Sequence, residues 1–445
     1  MQSRALSHRN RRCGVFTLPF PCGMPILTSM SDRHFDICVV GAGAAGLAAA
    51  LTFARERYRV AVIGDAVVRR DGRTVALLDG SVRLLERLGV WREIEPQAAP
   101  LEIMRLIDDT DSLFRAPSID FKCREIGLDA FGWNVENATL VEILSKAVAA
   151  QDDIAIIPRM AKGLGPQDTV TAGSHDHRIT VSLDDGSVVT ASLVIAADGR
   201  NSPMRRAAGI HERNWRYPQA ALTTILAHER DHRDISTEFH TRSGPCTLVP
   251  LPGRRSSLVW VTEPEKAEHL RHYEDAALAR TIEKQTHSVL GRMTIDGPRG
   301  VVPMSGLAVD RFAADGIALV GEAAHAFPPI GAQGLNLGLR DVAALRDAVI
   351  RGFERGEDLG GKPMLARYDR GRRFDVRSRT LGVDMLNRTL LSGLLPADFM
   401  RGAGLQALAM FPPLRRMMMR EGVSPRFATP QLMRRDATLP AQADL

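Results

Sequence analysis

The chain of 445 residues lacks the cysteine patterns that mark disulfide-rich and zinc-binding proteins. Its cysteines are odd in number, include no C-x-x-C pair, and stand at positions 13, 22, 38, 123 and 246. This usage indicates a reducing compartment, with neither a disulfide framework nor a metal site. The sequence also has no internal repeat and no low-complexity segment, which excludes a repeat architecture.

A long hydrophobic run is almost absent as well. The one candidate for a membrane span is residues 37–54, which are 18 residues without a charge. Three glycines stand early in this run and the charged triplet 55–57 follows it, so a buried phosphate-binding unit is a better interpretation than a span. No other stretch is predicted to cross a membrane.

Acidic residues are missing from the first 30 positions, which carry four of the six net positive charges, on Arg4, Arg9, Arg11 and Arg12. The remainder is close to neutral, so the charge gives poor support for nucleic-acid binding and we expect no such partner. An acid-free, Arg- and Ser-bearing start resembles a transit peptide. We favour an upstream start codon, with the working start at Met24 or Met30 and the extension disordered or untranslated.

A strand, a glycine-rich turn, a helix and a second strand follow one another between residues 35 and 65. The apolar, β-branched run 37–40 predicts a buried strand, an Ala-rich helix continues to about Arg57, and the run 60–63 predicts a parallel strand. Between them lies a G-x-G-x-x-G pattern formed by Gly41, Gly43 and Gly46. A buried Gly/Ala helix of any α/β protein is the alternative, but the strand–turn–helix context favours a dinucleotide site.

Each glycine of this pattern has a physical role. Gly41 allows the tight turn, Gly43 lets the backbone approach a pyrophosphate, and Gly46 lets helix and strand pack closely. The first helical turn, which contains Ala45, offers N–H groups and partial positive charge to phosphates. An acidic residue normally ends the second strand to bind the ribose; Gly64 stands there, so we assign Asp65, one residue later.

The remaining pattern mixes helices and strands. Helical spacing is predicted at 81–88, 137–150 and 275–287, and buried strands at 154–157, 179–183, 193–197 and 317–320. Between residues 215 and 299 short apolar runs alternate with polar turns, which predicts a largely antiparallel sheet. The chain after residue 320 is predicted to be mostly helical.

Two further motifs follow predicted strands. Asp198-Gly199 ends the strand at 193–197 and places a carboxylate at the carboxyl end of a parallel sheet, where ligands bind. Taken alone, this is as consistent with an ordinary turn. The longer segment 321–341 runs from a strand through a Pro/Gly loop into a helix near Leu335. Such a loop can hold a planar ring against backbone, and the helix N-terminus stabilises negative charge that develops on it.

Together these three segments resemble the aromatic-ring flavin monooxygenases related to p-hydroxybenzoate hydroxylase, and in particular the ubiquinone-biosynthesis hydroxylase family. The resemblance covers roughly residues 36–422. It implies that FAD is the cofactor, with its ADP half at the first motif and Asp198 and Gly199 serving the FAD and NAD(P)H-linked steps. It also assigns flavin contacts in the third motif, namely Glu322 at the ribityl hydroxyls, Pro329 beside the ring, and Gly334, Leu335 and Asn336 at the pyrimidine edge.

The family's D-x-R-T-x-A-L run is matched at Asp71, Arg73, Thr74, Ala76 and Leu77. The resemblance places Arg73 and Thr74 near the flavin. Two departures stand in the third motif: Glu322 replaces the usual Asp, and residues 331–332 transpose the usual Ala-Gly before Gln333. The family pattern makes His325 structural.

By resemblance, NAD(P)H reduces FAD, the reduced flavin adds dioxygen, and a flavin hydroperoxide hydroxylates an electron-rich phenol that carries a polyprenyl chain. The sequence has no second G-x-G-x-x-G unit, so NAD(P)H is expected as a transient co-substrate. No catalytic base is assigned, since position alone does not distinguish His240, Tyr217 and Arg242. Two alternatives stay open: a flavin-dependent prenyl-lipid reductase or dehydrogenase, and a non-catalytic FAD-bound partner in a quinone-biosynthesis assembly.

Residues 400–420 mix apolar side chains with arginines. The segment is open to two interpretations: a C-terminal helix packed on the core, or a helix that lies on an anionic membrane or a partner enzyme. Because the expected substrate is lipophilic, we predict weak peripheral association of a cytoplasmic protein with the inner face of a membrane.

The predicted fold class is α/β, with a Rossmann-like FAD-binding domain of discontinuous sequence, an antiparallel-sheet substrate domain and a helical C-terminal region. The predicted boundaries are 1–32 for the extension, 33–105, 125–205 and 305–365 for the FAD-binding domain, 106–124 and 206–304 for the substrate-domain sheet, and 366–445 for the helical region.

Overall fold

The computed structural model describes residues 15–17, 34–110, 118–165, 178–328, 333–391, 410–423 and 429–435. The strands of these ranges, in chain order, are β1 (Val15–Thr17), β2 (His34–Val40), β3 (Val60–Ile63), β4 (Val67–Arg69), β5 (Thr74–Leu78), β6 (Ala98–Pro100), β7 (Ile103–Asp108), β8 (Ile119–Lys122), β9 (Gly132–Glu136), β10 (Ile154–Ile157), β11 (Ala161–Leu164), β12 (Ile179–Leu183), β13 (Val188–Ala196), β14 (Glu212–His228), β15 (Ile235–Thr241), β16 (Gly244–Leu251), β17 (Arg255–Thr262), β18 (Met293–Ile295), β19 (Gly300–Val309), β20 (Ala313–Ala314), β21 (Ile317–Leu319) and β22 (His325–Ala326).

The α-helices of the described ranges are α1 (Ala44–Arg55), α2 (Asp79–Arg87), α3 (Trp91–Ile94), α4 (Asn137–Ala149), α5 (Pro203–Ala207), α6 (Pro264–Arg271), α7 (Asp275–Gln285), α8 (Gln333–Phe353), α9 (Lys362–Leu391) and α10 (Pro412–Val423). Short 3₁₀ helices lie at Glu95–Gln97, Cys123–Ile126, Gly321–Ala323 and Gln431–Met433.

The first sheet carries the N-terminal βαβ unit. Its order is β10-β3-β2-β13-β12-β11, and β21 also pairs with β13. The strands β10, β3, β2, β13 and β21 run parallel, whereas β12 and β11 join as antiparallel neighbours. Helix α1 packs on strands β2, β3 and β13 and also contacts α4 and α8, so it is buried along nearly its whole length. Its core therefore consists of apolar β-branched strands and an Ala-rich helix.

The second sheet is built from later and non-consecutive strands. Its order is β22-β19-β14-β17-β16-β15-β7-β8, antiparallel except for the β15–β7 pair. Helices α6 and α7 cover it through a separate apolar cluster that includes Leu222, Leu226, Trp260, Leu278 and Ile282. Two small sheets, β5-β9-β6 and β1-β4, accompany these two large ones. The predicted fold class, with its parallel and antiparallel sheets and C-terminal helices, is confirmed.

Several predicted elements match the structure closely. The strands at 60–63, 154–157 and 179–183 have the predicted bounds, and the helices at 81–88 and 137–150 differ by one or two residues at an end. Helix α6 was not predicted, because only Ala267 and Leu270 of its eight residues are buried and the rest are mostly charged. Within the extension, β1 pairs with β4 as an antiparallel strand; the other positions before 34 lie outside the described residues.

Cys38, Cys123 and Cys246 are buried and unbridged, and burial raises the pKa of Cys38 to about 12. In the described ranges, no helix has both the length and the apolar character that a bilayer span requires. No group of three His, Cys, Asp or Glu side chains in those ranges is arranged to hold a metal.

Candidate functional site

Three sequence motifs meet at one edge of the first sheet. Strands β2, β13 and β21 are parallel, and the register aligns Ala196 with both Val40 and Leu319. Each strand is followed at once by a motif: the glycine turn after β2, Asp198-Gly199 after β13, and Gly321–Ala323 after β21. The carboxyl ends of parallel strands are where ligands of such sheets bind. The structure therefore brings together segments that are more than a hundred residues apart.

Close backbone contacts join the first motif to the second. Gly41 has a φ of +111°, and a β carbon built on it would lie 2.3 Å from the carbonyl oxygen of Ala197. A β carbon on Gly46 would lie 1.9 Å from the carbonyl oxygen of Gly41. No side chain fits at either position. Both glycines are therefore required by the packing of the protein, even without a ligand.

Gly43 differs from its two neighbours in the motif. A β carbon built on it would meet nothing within 4 Å, and its φ of −79° is open to any residue. It is the N-cap of α1, no side chain caps that terminus, and the first turn contains no acid. The first N–H groups of a helix have no partner within it. Open space and uncapped N–H groups that include Ala45 therefore coincide, as an anion site requires.

The second motif holds a buried carboxylate oxygen. Oδ2 of Asp198 accepts a hydrogen bond from the Met204 amide at 3.0 Å, whereas Oδ1 is buried with no hydrogen-bond partner among the described residues. Burial raises the pKa of Asp198, although hydrogen bonds from Ser202 and the Met204 amide act in the opposite direction. Gly199 adopts a φ of +80° with open space at its β position. This motif can therefore still accept a hydrogen bond from a ligand.

The third motif packs against the other two through small residues. A β carbon on Gly338 of α8 would lie 3.1 Å from Cα of Gly321, and one on Gly321 would lie 3.4 Å from Cβ of Ala45. Gly321 therefore contacts the N-terminal parts of both α1 and α8. Glu322 is exposed on the turn between them.

The first turn of α8 combines open and buried positions. Gly334 is exposed with nothing within 4 Å of its β position, and Leu335 packs partly on the core. Asn336 is buried: its Oδ1 accepts from the Leu78 amide at 2.9 Å and from Ser81 Oγ at 2.7 Å, and its amide donates to the Ala76 carbonyl at 2.7 Å. The Asn336 side chain thus fixes the end of β5 against α8. Pro329, predicted beside the flavin ring, lies outside the described residues.

The run that begins with Arg73 and Thr74 links the two large sheets. Thr74 Oγ1 donates to Ser257 Oγ on β17 at 2.9 Å, while Asn336 holds the far end of the run on α8. Arg73 is half exposed and its Nε donates to Asp71 at 2.8 Å. Asp65 is exposed just after β3, beside the first motif in the parallel register of β2 and β3. Asp65 is thus open to solvent, whereas Arg73 is partly exposed and paired with Asp71.

The candidates for a base lie in the second sheet. Tyr217 accepts a hydrogen bond from Trp215 Nε1 at 2.8 Å, and Arg242 Nε donates to the Thr110 carbonyl at 2.7 Å. His240 lies 2.7 Å from Glu238. These contacts stay within the second sheet and its loops, and they do not single out a base.

Sequence reasoning missed two buried charged residues behind the third motif. Arg205 is 1% exposed; it donates to the Ala323 carbonyl at 2.8 Å and to the Arg200 carbonyl at 2.7 Å, and it pairs with Glu212. Asp341 is fully buried and bonds to both flanks of the Glu322 turn. Asp341 is the last residue of the third motif, the segment 321–341, whereas no local sequence pattern marks Arg205.

The first sheet is mostly parallel, has close glycine contacts at its carboxyl edge and faces the uncapped N-terminus of α1. Together with the second, antiparallel sheet, these features define a dinucleotide-binding α/β protein. The profile of the family described as FAD binding domain matches residues 34–375. Three features fit that cofactor: the open space beside Gly43, the Oδ1 atom of Asp198 that has no partner among the described residues, and the open space beside Gly334.

Relatives along the whole chain narrow the class. The 3-demethoxyubiquinol 3-hydroxylase of Escherichia coli (strain K12) is 32% identical over 385 residues, which cover 85% of this chain and 95% of the relative. Ubiquinone hydroxylase UbiL of Rhodospirillum rubrum is 30% identical over 403 residues, which cover 89% and 91%. In fold, p-nitrophenol 4-monooxygenase PnpA of Pseudomonas putida matches with a TM-score of 0.70 at 18% identity, over 88% of this chain and 99% of that one. The chain belongs to the ubiquinone hydroxylase family of FAD-dependent aromatic-ring monooxygenases, and the resemblance seen in the sequence is confirmed.

Proposed function

We propose that this protein hydroxylates the aromatic ring of a polyprenylated phenol in ubiquinone biosynthesis, using FAD, NAD(P)H and dioxygen. The observation that supports it best is the convergence of three motifs at one sheet edge, in a chain at least 30% identical to two ubiquinone-pathway hydroxylases along most of its length. A phenol ring is electron-rich and suits the transfer of a hydroxyl group.

The described residues divide the binding of FAD among them. We assign the pyrophosphate to the backbone of Gly43 and Ala45 at the α1 N-terminus, because that terminus is uncapped and open. We assign Asp65 to the adenosine ribose, and the Glu322 turn and the first turn of α8 to the ribityl chain and ring. When bound, FAD supplies the redox chemistry that passes electrons from NAD(P)H to dioxygen.

The chain itself contributes position, charge and shelter from water. The N-terminus of α8 directs partial positive charge toward the site, which stabilises negative charge on a reduced ring. The β5 run, held by Ser257 on one side and by Asn336 on the other, closes the gap between the two large sheets. The second sheet then forms the wall available to a substrate, and excluding water there prevents unproductive loss of activated oxygen.

Isotope labelling tests the reaction. Purified protein with bound FAD is given NADPH, a short-chain prenylphenol and ¹⁸O-labelled dioxygen, and the products are analysed by mass spectrometry. One labelled oxygen in the ring product is expected. Reduction of the prenyl chain or ring without label would replace the proposal with a reductase. No bleaching of the flavin by NADPH, with or without phenol, would indicate a non-catalytic partner.

Deleting the gene in its host tests the pathway. A prenylated phenol lacking one hydroxyl group is expected to accumulate, and its structure identifies the ring position. Restoration by the wild-type gene but not by a variant that cannot bind FAD links the accumulation to catalysis. If no prenylated phenol accumulates, the ubiquinone assignment is withdrawn.

We also propose weak, peripheral contact with an anionic membrane through α10. Two of its side chains, Met419 and Val423, are buried against the cluster of Cys123, Leu128 and Phe131. The opposite side presents large apolar side chains at helical spacing, all at least 40% exposed: Met410, Phe411, Leu414, Met417 and Met418. An amphipathic helix normally turns such a face inward, so an exposed one indicates an interaction surface.

Charge favours a lipid surface as the occupant. The exposed charges near the apolar face are Arg416, Arg420 and Glu421, which are net positive, whereas Arg415 is held by Glu125 at 2.7 Å and faces the protein. Exposed arginines next to apolar side chains suit anionic headgroups above acyl chains. A lipophilic substrate would reach the site most directly from such a surface.

Co-sedimentation with liposomes tests this contact. Wild-type protein should bind vesicles with anionic lipid at low salt and bind less to neutral vesicles. Replacing Met417 and Met418 together with Ser should reduce binding. The control is Met160→Ser, which removes a methionine that is even more exposed (69%) and lies far from α10 in sequence. Equal binding of all three proteins, or none at all, would rule out the α10 surface.

A further inference from the structure

One buried carboxylate connects the parts of the third motif. Asp341 is on α8 and has no exposed surface. Its Oδ2 accepts hydrogen bonds from the Gly321 amide at 2.9 Å and from His325 Nε2 at 2.7 Å. Its Oδ1 accepts from Arg372 Nε at 2.6 Å, on α9. Asp341 therefore joins three separate elements of the fold at one point.

The two groups held by Oδ2 flank Glu322. Gly321 begins the short 3₁₀ helix that contains Glu322. His325 begins the strand β22, which follows shortly after that helix. Asp341 itself lies two helical turns beyond Gly334 on α8. The carboxylate consequently sets the distance between the Glu322 turn and the α8 N-terminus, which are two sides of the flavin site.

His325 has a defined hydrogen-bonding state. A carboxylate only accepts hydrogen bonds, so Nε2 of His325 must donate. The imidazole is 1% exposed, lies between the rings of Phe312 and Phe327, and its Nδ1 has no partner among the described residues. His325 is therefore a hydrogen-bond donor to Asp341 that is held in one orientation.

Charge balance explains how the acid is tolerated. Arg372 also donates to Asp375, which accepts in turn from Arg340 Nε at 2.7 Å, and all of these side chains are buried. Burial alone would lower the pKa of Arg372, but Asp341 and Asp375 raise it above its usual value. Two acids and two arginines thus form a neutral buried chain, and removing one member leaves an uncompensated charge.

We propose that Asp341, with His325 as its partner, is a positioning residue for FAD. The pair does not touch the cofactor but holds the Glu322 turn at a fixed distance from the first turn of α8. The proposal rests on FAD binding and not on the identity of the substrate, since the affinity for FAD is measured without phenol or NAD(P)H.

The Asp341→Asn variant provides the first test. One of its two polar atoms becomes an amide that must face either Arg372 or the Gly321 and His325 donors, so at least one contact is lost. We expect the Kd for FAD, measured by fluorescence titration of the apoprotein, to rise by about tenfold or more. Asp375→Asn is the matched control. It removes one negative charge from the same group of buried ion pairs but keeps the hydrogen bonds that Gly321 and His325 donate to Asp341. An equal rise in both variants would overturn the positioning role.

Two His325 variants keep the test decisive if Asp341→Asn fails to fold. His325→Ala removes the donor, whereas His325→Gln presents an amide N–H near the position of Nε2. We expect weaker FAD binding by His325→Ala, with the flavin absorption bands shifted, and recovery of both by His325→Gln. A His325→Ala protein with wild-type FAD affinity, or a His325→Gln protein as weak as His325→Ala, would refute the proposal.

Discussion

Among the glycines of the first motif, Gly43 is the one whose substitution should weaken cofactor binding with the least effect on folding. Gly43→Ala adds a methyl group where nothing lies within 4 Å, at a φ that alanine adopts freely. The protein loses only the preference of a helix N-cap for glycine over alanine, which is worth about 1 kcal/mol or less. The apoprotein should therefore keep nearly its full free energy of unfolding.

The loss should fall on the cofactor. The same methyl group would stand where the pyrophosphate must approach the backbone of the uncapped α1 N-terminus. We expect the Kd for FAD to rise by about 10- to 100-fold, which corresponds to about 1.4–2.8 kcal/mol. Fluorescence titration of the apoprotein measures this change, and urea unfolding of the same apoprotein measures its stability.

Two glycine variants serve as controls. Gly371→Ala, in α9, also has nothing within 4 Å and should change neither FAD affinity nor folding adversely. Gly46→Ala should prevent folding even without FAD, because its β carbon would overlap the carbonyl oxygen of Gly41 at 1.9 Å. If Gly43→Ala binds FAD within twofold of wild type, the pyrophosphate does not lie there and the reasoning fails.

Three further variants probe the buried polar groups of the site. Asn336→Ala should lower the free energy of unfolding of the apoprotein in urea by about 1–3 kcal/mol, because the Leu78 amide loses its partner; an unchanged midpoint would contradict this. Arg205→Met should lower it by a similar amount, about 1–3 kcal/mol, because the Ala323 carbonyl loses its donor, and it should also weaken FAD binding in titration. Because burial raises the pKa of Asp198, the stability from its protonation is present below about pH 4 and is lost as pH rises through the folded-state pKa. Asp198→Asn should therefore flatten the apoprotein melting temperature between pH 4 and 7, and an unchanged slope would exclude Asp198 as the titrating group.

Many strands and helices could be predicted from the sequence, because the spacing of apolar residues depends directly on the local secondary structure. The runs at 60–63 and 154–157 are fully apolar and rich in β-branched residues, and they form strands with the predicted bounds. The glycine spacing of the first motif likewise predicts a strand–turn–helix unit without any tertiary information. Helix α6 escaped prediction because its sequence, PEKAEHLR, buries too few residues to leave a helical apolar period.

The hydrogen bonds that hold the site together could not be predicted, because they join residues that are far apart in the sequence and no local sequence pattern indicates them. By resemblance Asn336 was assigned to the flavin edge, yet its side chain bonds to β5 and the start of α2, more than 250 residues earlier. Arg205 resembles any surface arginine in sequence, and only the packing of α5 buries it behind Ala323.

By itself, the sequence determined the buried strands at 60–63, 154–157 and 179–183 and the glycine turn, since each depends on residues close together in the chain. Three such local motifs, taken together, were enough to indicate the family and the cofactor. The tertiary structure alone decided that Asp341 would bind both flanks of Glu322 and that Arg205 would hold the same turn from the other side. A buried charge is stable only where the fold supplies its partners, and those partners come from distant parts of the chain.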